Sequence, residues 1–438
     1  MPTPSLILVP ARFKTGKLYT PVATTSGGVV LGASGDFNVT RATTATRVNA
    51  SGLIEVVASG IPRLDYPLGG GCPALLVEPS GTNGILNSEN TATNWALGLN
   101  LSSGYVDVIG VSGNNLTVAV SGSNIGTAAG RLTRANNNFA LASGSTYTIS
   151  FLIKKTGTHT IGGYYALLTG AAGGNLGAGF DISGSFSSGA IYNTAGTTNR
   201  IRRVEEWGTD VYRCSETFTM TASGTLGFLY FAPVSGVTSA FNPAVGLGIA
   251  FAAPQVELGS LPTSFIPTTT TTATRNADNI SLSGVVSGCI GQTEGTIYVE
   301  VDLRALSVAR SIFGVSLNSN TTDFANIQIN SSNRIFARIR SNTGTLQDIT
   351  ASSTVTGTTK IAMAYDSSGS VLAINGAIIG TNASGIASWS SGVNFVHIGN
   401  GPSAASGSSQ GGFFNDRIGA PVLYTTRLTN DQLQALTT

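Results

Sequence analysis

The stretch PQVELGSLPTSFIPTTTTTATRNAD, Pro254 to Asp278, decides how the chain is divided. Ile249-Ala250-Phe251 and Val256-Glu257-Leu258 read as a last strand, and Pro262 and Pro267 then interrupt pairing because proline has no N–H to donate to a ladder. Threonines 268 to 272 are β-branched and polar, which favours an extended, solvated segment. Ala273-Thr274-Arg275-Asn276-Ala277-Asp278 leads into new strands. A similar string, Thr40-Arg41-Ala42-Thr43-Thr44-Ala45-Thr46-Arg47-Val48, stands near the N-terminus. Both precede Gly-punctuated apolar runs, so the chain reads as modules joined by Thr/Ala/Arg connectors that belong to neither core.

Working outward, residues 89–266 alternate apolar and polar positions in Tyr147 to Lys154, Thr217 to Met220 and Leu226 to Phe231, the period of an antiparallel sandwich. Residues 267–284 are a Thr-rich linker. Residues 285–438 repeat the pattern: Thr296 to Leu303 is a strand, Val371 to Gly380 a hairpin turning at Asn375-Gly376, and Phe395 to Gly399 another strand. Ile418 to Tyr424 is a closing strand, and Thr429 caps a short helix through Leu436 with Asp431 in its first turn. Residues 1–88 hold short strand-like pieces (Ser5 to Val9, Val29 to Leu31, Leu53 to Val57, Ala74 to Val77) with too little apolar surface to close a core. They are expected to form an irregular attachment region buried against neighbouring copies or another protein. The fold class is all-β: that attachment region, then two antiparallel jelly-roll β-sandwiches.

Composition supports short strands and tight turns: 438 residues carry 56 glycines and 41% hydrophobic residues, with only 10% charged. A net charge of +2 supplies no stripe to follow a phosphate backbone, so no nucleic-acid partner is expected. Leu6 to Val9 is too short for a signal peptide and no stretch reaches membrane-span length. The expectation is no secretion signal and no membrane insertion, so that work outside a cell would require exit by lysis or as part of a particle. Cys72, Cys214 and Cys289 suggest buried apolar groups rather than disulfides. His159 and His397 are too few for a zinc site.

Two resemblances follow from these strings. TIYVEVDL, INGAIIG, FVHIGN and DRIGAPVLYTTRLTNDQLQAL resemble the concanavalin A-like (laminin-G-like) domains over the last third of the chain. LILVPARFKTGKLYTP, the segment from Phe37 to Asn83, EEWGTDVYRCSETFT and PQVELGSLPTSFIPT are similar to modular tail-fibre or head-fibre proteins of tailed bacteriophages. That resemblance implies a virion structural protein, commonly a homotrimer, attached to other virion proteins through residues 1–88 and bearing carbohydrate-binding-module-like sandwiches. The function it implies is adhesion to host or surface glycans. The alternatives are a purely structural capsid or tail decoration protein and a polysaccharide depolymerase.

Two groups of residues suit sugar chemistry. Glu205, Glu206, Trp207 and Tyr212, with Asp210, combine rings that stack on sugar faces with carboxylates that accept from hydroxyls. A strand-edge turn with a core tryptophan explains them better than a sugar site does. Glu300 and Asp302 place two carboxylates on one strand face, as glycosidases do, but Ala305 stands where glucanases of this fold carry a third acid, and no catalytic residue is assigned. No cofactor is expected. Asp366 and Asp416 are the only calcium ligands worth weighing, and Asp366-Ser367-Ser368-Gly369 is first of all a turn.

Overall fold

A computed structural model describes residues 1–10, 13–18, 22–23, 29–30, 36–67, 70–89, 95–97, 101–105, 108, 110, 116–120, 132–134, 138–157, 160–183, 188–194, 196–233, 249–283, 288–304, 309–317, 323–341, 346–384, 389, 392–401 and 412–438. The described chain is all-β apart from a short 3-10 turn and one C-terminal helix.

The alternation around Tyr147 builds the first sandwich. In the strand Thr146–Lys155, Tyr147, Ile149, Phe151 and Ile153 point into the core while Thr148 and Ser150 are buried on the opposite face. This strand lies between Ile249–Leu258 and Val211–Met220 in a six-stranded sheet, with Thr197–Gly208 at one edge. The facing sheet places Ile161–Thr169 between Gly224–Pro233 and Gly174–Asp181. Phe151 sits where the sheets meet, its ring within 4.7 to 6.1 Å of Phe231, Phe180, Tyr164 and Phe251. Ile249–Leu258 is one strand although Pro254 lies inside it. Ala253, at φ 50, and a register shift opposite Ser150 and Leu152 form a bulge there, a place where a missing N–H is tolerated.

The second sandwich takes its strands from both ends of the chain. Gly295–Leu303 pairs with Gly357–Asp366 on one side and with Val422–Tyr424 and Asp416–Ile418 on the other. Leu6–Ile7 then pairs with Val422–Tyr424, and Ala74–Val77 with Asp416–Ile418. In the opposing sheet Phe37–Thr40 pairs with Asn279–Ser283, which pairs with Phe395–Ile398. Asn375 and Gly376 both take positive φ at their hairpin, and Thr429 makes a reciprocal capping box with Gln432 at the start of the helix Asn430–Thr437.

This arrangement corrects the expected division of the chain in two respects. Leu6, Leu8, Leu18, Phe37, Val39, Leu64, Leu75 and Val77 are buried in one cluster with Ile297, Val299 and Ile327, so residues 1–88 find their apolar cover within the same chain. Five short segments that cannot close a core complete one that is missing strands. The segment 267–284 is likewise no free linker: Ala273–Arg275 pairs with Gly81–Asn83, and Asn279–Ser283 belongs to the second sandwich. Thr269 to Thr272 are exposed as expected, but Thr268 is buried, its hydroxyl 2.8 Å from Ser88 Oγ. Among the cysteines, Cys214 and Cys289 are buried, whereas Cys72 is exposed in the Gly-rich turn ahead of Ala74–Val77.

The two Thr/Ala/Arg strings meet. Asn276 N–H donates to Thr43 Oγ1 at 2.9 Å, and Arg41 donates to Asp278 at 2.9 Å. Around them three buried guanidiniums, Arg41, Arg63 and Arg275, face two buried carboxylates, Glu78 and Asp278. Arg63 is only 1% exposed and bridges Glu78 at 2.7 Å and Asp278. Glu78 also accepts from the Ser264 N–H and hydroxyl, each at 2.7 Å. Burial opposes ionisation of Glu78, but Arg63 and Arg275 outweigh it and hold the carboxyl well below the usual range. The connector is thereby clamped to the N-terminal segment.

Candidate functional site at the junction of the sandwiches

The strands Thr197–Gly208 and Val211–Met220 form a hairpin whose turn carries Asp210 at φ 59. Register sets Glu205 opposite Arg213 and Glu206 opposite Tyr212. Alternation therefore splits the four sequence candidates between two faces. Tyr212 packs against the first sandwich core, and burial, with Asp210 and Glu206 nearby, pushes its phenol up. Glu206 is exposed. Glu205 and Trp207 point the other way, into a cleft between the sandwiches.

That cleft has a volume of about 90 Å³ and walls from three parts of the chain. Trp207, Glu205 and Arg213 come from the first sandwich; Arg47, Ile54 and Asp65 from the N-terminal segment; Asp302, Arg304, Asp416 and Arg417 from the second sandwich. Most of its charged side chains are held by ion pairs. Arg417 bridges Asp65 at 2.6 Å and Asp302 at 3.5 Å, Arg304 binds Asp416, and Arg304 stands 4.0 Å from Glu205 across the junction. The half-buried indole of Trp207 lies against Arg213, the guanidinium carbon 5.0 Å from the ring centroid, and packs on the small apolar cluster that contains Ile54, Leu152 and Phe265. Burial pulls Arg213 below its ordinary value.

Arg213 is the residue that sequence reasoning missed. The signal was present: a hairpin turning at Thr209-Asp210 sets the residue three after Asp210 across from Glu205. The ion-paired residues Arg304 and Arg417 lie far away in sequence and carried none, and Asp416, weighed as a calcium ligand, carried no sign that it belongs here.

Glu300 and Asp302 share the outer face of Gly295–Leu303, but Asp302 is engaged by Arg417. Ala305 lies outside the described residues. Asp366 accepts from the Ser368 N–H at 2.7 Å, the Ser368 hydroxyl at 2.6 Å and the Gly369 N–H at 3.1 Å, all within its own turn. Asp416 is bound by Arg304 and Arg310. Among the described residues no group of three or more His, Cys, Asp or Glu is placed to hold a metal ion.

His159 lies outside the described residues. His397 is 2% exposed. Burial pushes its imidazole down to about 4, with the Asn400 backbone offsetting part of the effect. The unfolded value is near 6.5, so between about pH 6.5 and about pH 4 the unfolded chain takes up a proton that the folded chain refuses. Stability is full above that window and falls as pH drops through it. His397→Gln is expected to remove about 2 kcal/mol of the loss between pH 7 and pH 4.5. Urea unfolding at the two pH values checks this; equal losses in both proteins would show that His397 does not titrate as described.

No protein-family model and no curated protein matches the chain. Among solved structures it is similar to the CBM40 of the Ruminococcus gnavus IT-sialidase (19% identity, 34% of this chain and 84% of that chain, TM-score 0.28). It is also similar to the NanB sialidase from Streptococcus pneumoniae (14% identity, 36% and 26%, TM-score 0.28) and to the SAP-like pentraxin from Limulus polyphemus (14%, 34% and 70%, TM-score 0.25). At these TM-scores the likenesses identify neither a ligand nor a site in this chain.

Proposed function

We propose that this chain is a non-enzymatic glycan adhesin of a tailed-bacteriophage particle, and that the junction cleft is where it engages sugar. The observation that carries the reading is the cleft's lining: a half-buried indole beside charged groups whose positions are set in advance by ion pairs. An indole offers an apolar surface for a sugar ring, and fixed carboxylates and guanidiniums meet hydroxyls without ordering entropy at the moment of binding. A cleft of about 90 Å³ admits the edge of one ring, so each contact is weak, and adhesion would come from many copies on one particle. The virion setting and the homotrimer rest on the sequence resemblance to fibre proteins. Strands from residues 1–88 are used within the chain, so attachment to other virion proteins would use their remaining surface rather than those paired edges.

Trp207→Ala is expected to weaken glycan binding at least about tenfold while leaving the unfolding midpoint of the first sandwich within a few degrees, as for an aromatic anchor at a partly exposed site. Calorimetric titration with a panel of surface oligosaccharides checks it. A second reading has one observation in its favour: Trp207 packs on Ile54 and Phe265 and its cleft is ion-paired throughout much of its wall, as a rigid joint between modules would be. A large loss of stability in Trp207→Ala, with no oligosaccharide bound by the parent protein, selects that structural role.

A further inference from the structure

The cleft also carries information on the chemical class of its ligand, given the reading of it as the glycan site. Four arginines line it. Arg47 is paired with Glu55 at 2.7 Å, Arg304 with Asp416, and Arg417 with Asp65. Arg213 has no carboxylate within ion-pair distance among the described residues, although it is only 7% exposed. Glu205, opposite it in register, stands instead near Arg304. Arg213 donates to the Thr263 carbonyl and, at 3.4 Å, to Ser150 Oγ, both through Nη2. Among the described residues no acceptor engages its Nε or Nη1.

A buried guanidinium without a counter-anion is costly, and an anion that completes the site recovers that cost on binding. Nε–H and Nη1–H of Arg213 are each left to donate a charge-assisted hydrogen bond to a carboxylate oxygen. Of the five carboxylates that line the cleft, Asp65, Glu78, Asp302 and Asp416 are each engaged by another arginine, and Glu205, which faces Arg213, stands 4.0 Å from Arg304. We infer that the cleft takes an acidic sugar, whose carboxylate is seated on Arg213 and whose ring lies along Trp207. The neutral hydroxyl-only sugars that an indole alone would accept are then the weaker ligands.

The test uses the full chain and two probes that differ in one group: a uronic-acid disaccharide and its carboxyl-reduced counterpart, each titrated at low and at physiological salt. The acidic form is expected to bind about 10- to 100-fold more tightly, as for a charge-assisted hydrogen bond in a shielded site. Arg213→Met is expected to bring the two forms to equal affinity, and Arg213→Lys to keep part of the preference. Because the two probes are compared on the parent protein, the outcome does not depend on either variant folding. Equal binding of both forms by the parent overturns the acidic-sugar inference and leaves the adhesin reading intact. Tighter binding of a sulfated analogue than of the carboxylate overturns the choice of carboxylate. Failure to bind any of the panel overturns the adhesin reading itself.

Discussion

Asp278→Ala is expected to destabilise the folded chain by about 3–5 kcal/mol, the range for removing one partner of a buried ion pair. Asp278 accepts from Arg41 at 2.9 Å, from Arg63 and from the Glu78 N–H at 3.1 Å, all within a buried cluster. Alanine leaves the Arg41 and Arg63 guanidiniums short of a counter-charge and the Glu78 N–H without this acceptor. Since a domain is stable by only about 5–15 kcal/mol, such a loss takes much of the total. Arg47→Ala, which breaks a half-exposed pair with Glu55, is the comparison, with an expected effect of about 0–1 kcal/mol. Urea unfolding of both variants decides the matter; an Asp278→Ala loss no larger than that of Arg47→Ala would mean that the cluster does not clamp the connector.

A fragment of residues 285–438 is expected not to fold, even though the sequence presents it as a complete sandwich. It lacks Leu6–Ile7, Ala74–Val77, Phe37–Thr40 and Asn279–Ser283, four strands of its two sheets. It also lacks eight buried apolar side chains, Leu6 to Val77, that fill its core. At about 1.5–3 kcal/mol for each buried side chain, their absence removes more than the whole stability of an ordinary domain. Gly399 records how close the packing is: an added Cβ there would lie 2.3 Å from Val77 Cγ1. Far-UV circular dichroism and amide dispersion in NMR check the expectation, and a cooperative unfolding transition in the isolated fragment would refute it. Residues 1–88 supplied in trans to a fragment of residues 267–438, which keeps Asn279–Ser283, are expected to restore structure.

Much of the local structure was legible because its signals are local. The alternation from Tyr147 to Lys154 marks a half-buried strand wherever it is placed, Asn375-Gly376 supplies the positive φ a tight hairpin needs, and Thr429 with Gln432 caps a helix by contacts three residues apart. The site was half legible for the same reason. Trp207 and Glu205 stood out by residue type, but the sequence grouped them with Tyr212 and Glu206, which the pleat turns to the opposite face. Arg213 became visible only through the register of the hairpin.

What the sequence by itself determined is the all-β class, the position of most strands and turns, and the helix that ends the chain. Tertiary structure alone decided where residues 1–88 belong and what the Thr/Ala/Arg strings do. The physical reason is the nature of the contacts: a strand edge offers N–H and C=O groups that look alike in every strand, so nothing in Leu6–Ile7 announces that its partner is Val422–Tyr424. Likewise Arg41, Arg63 and Arg275 read as solvated charges until the fold brings Glu78 and Asp278 beside them and excludes water from all five.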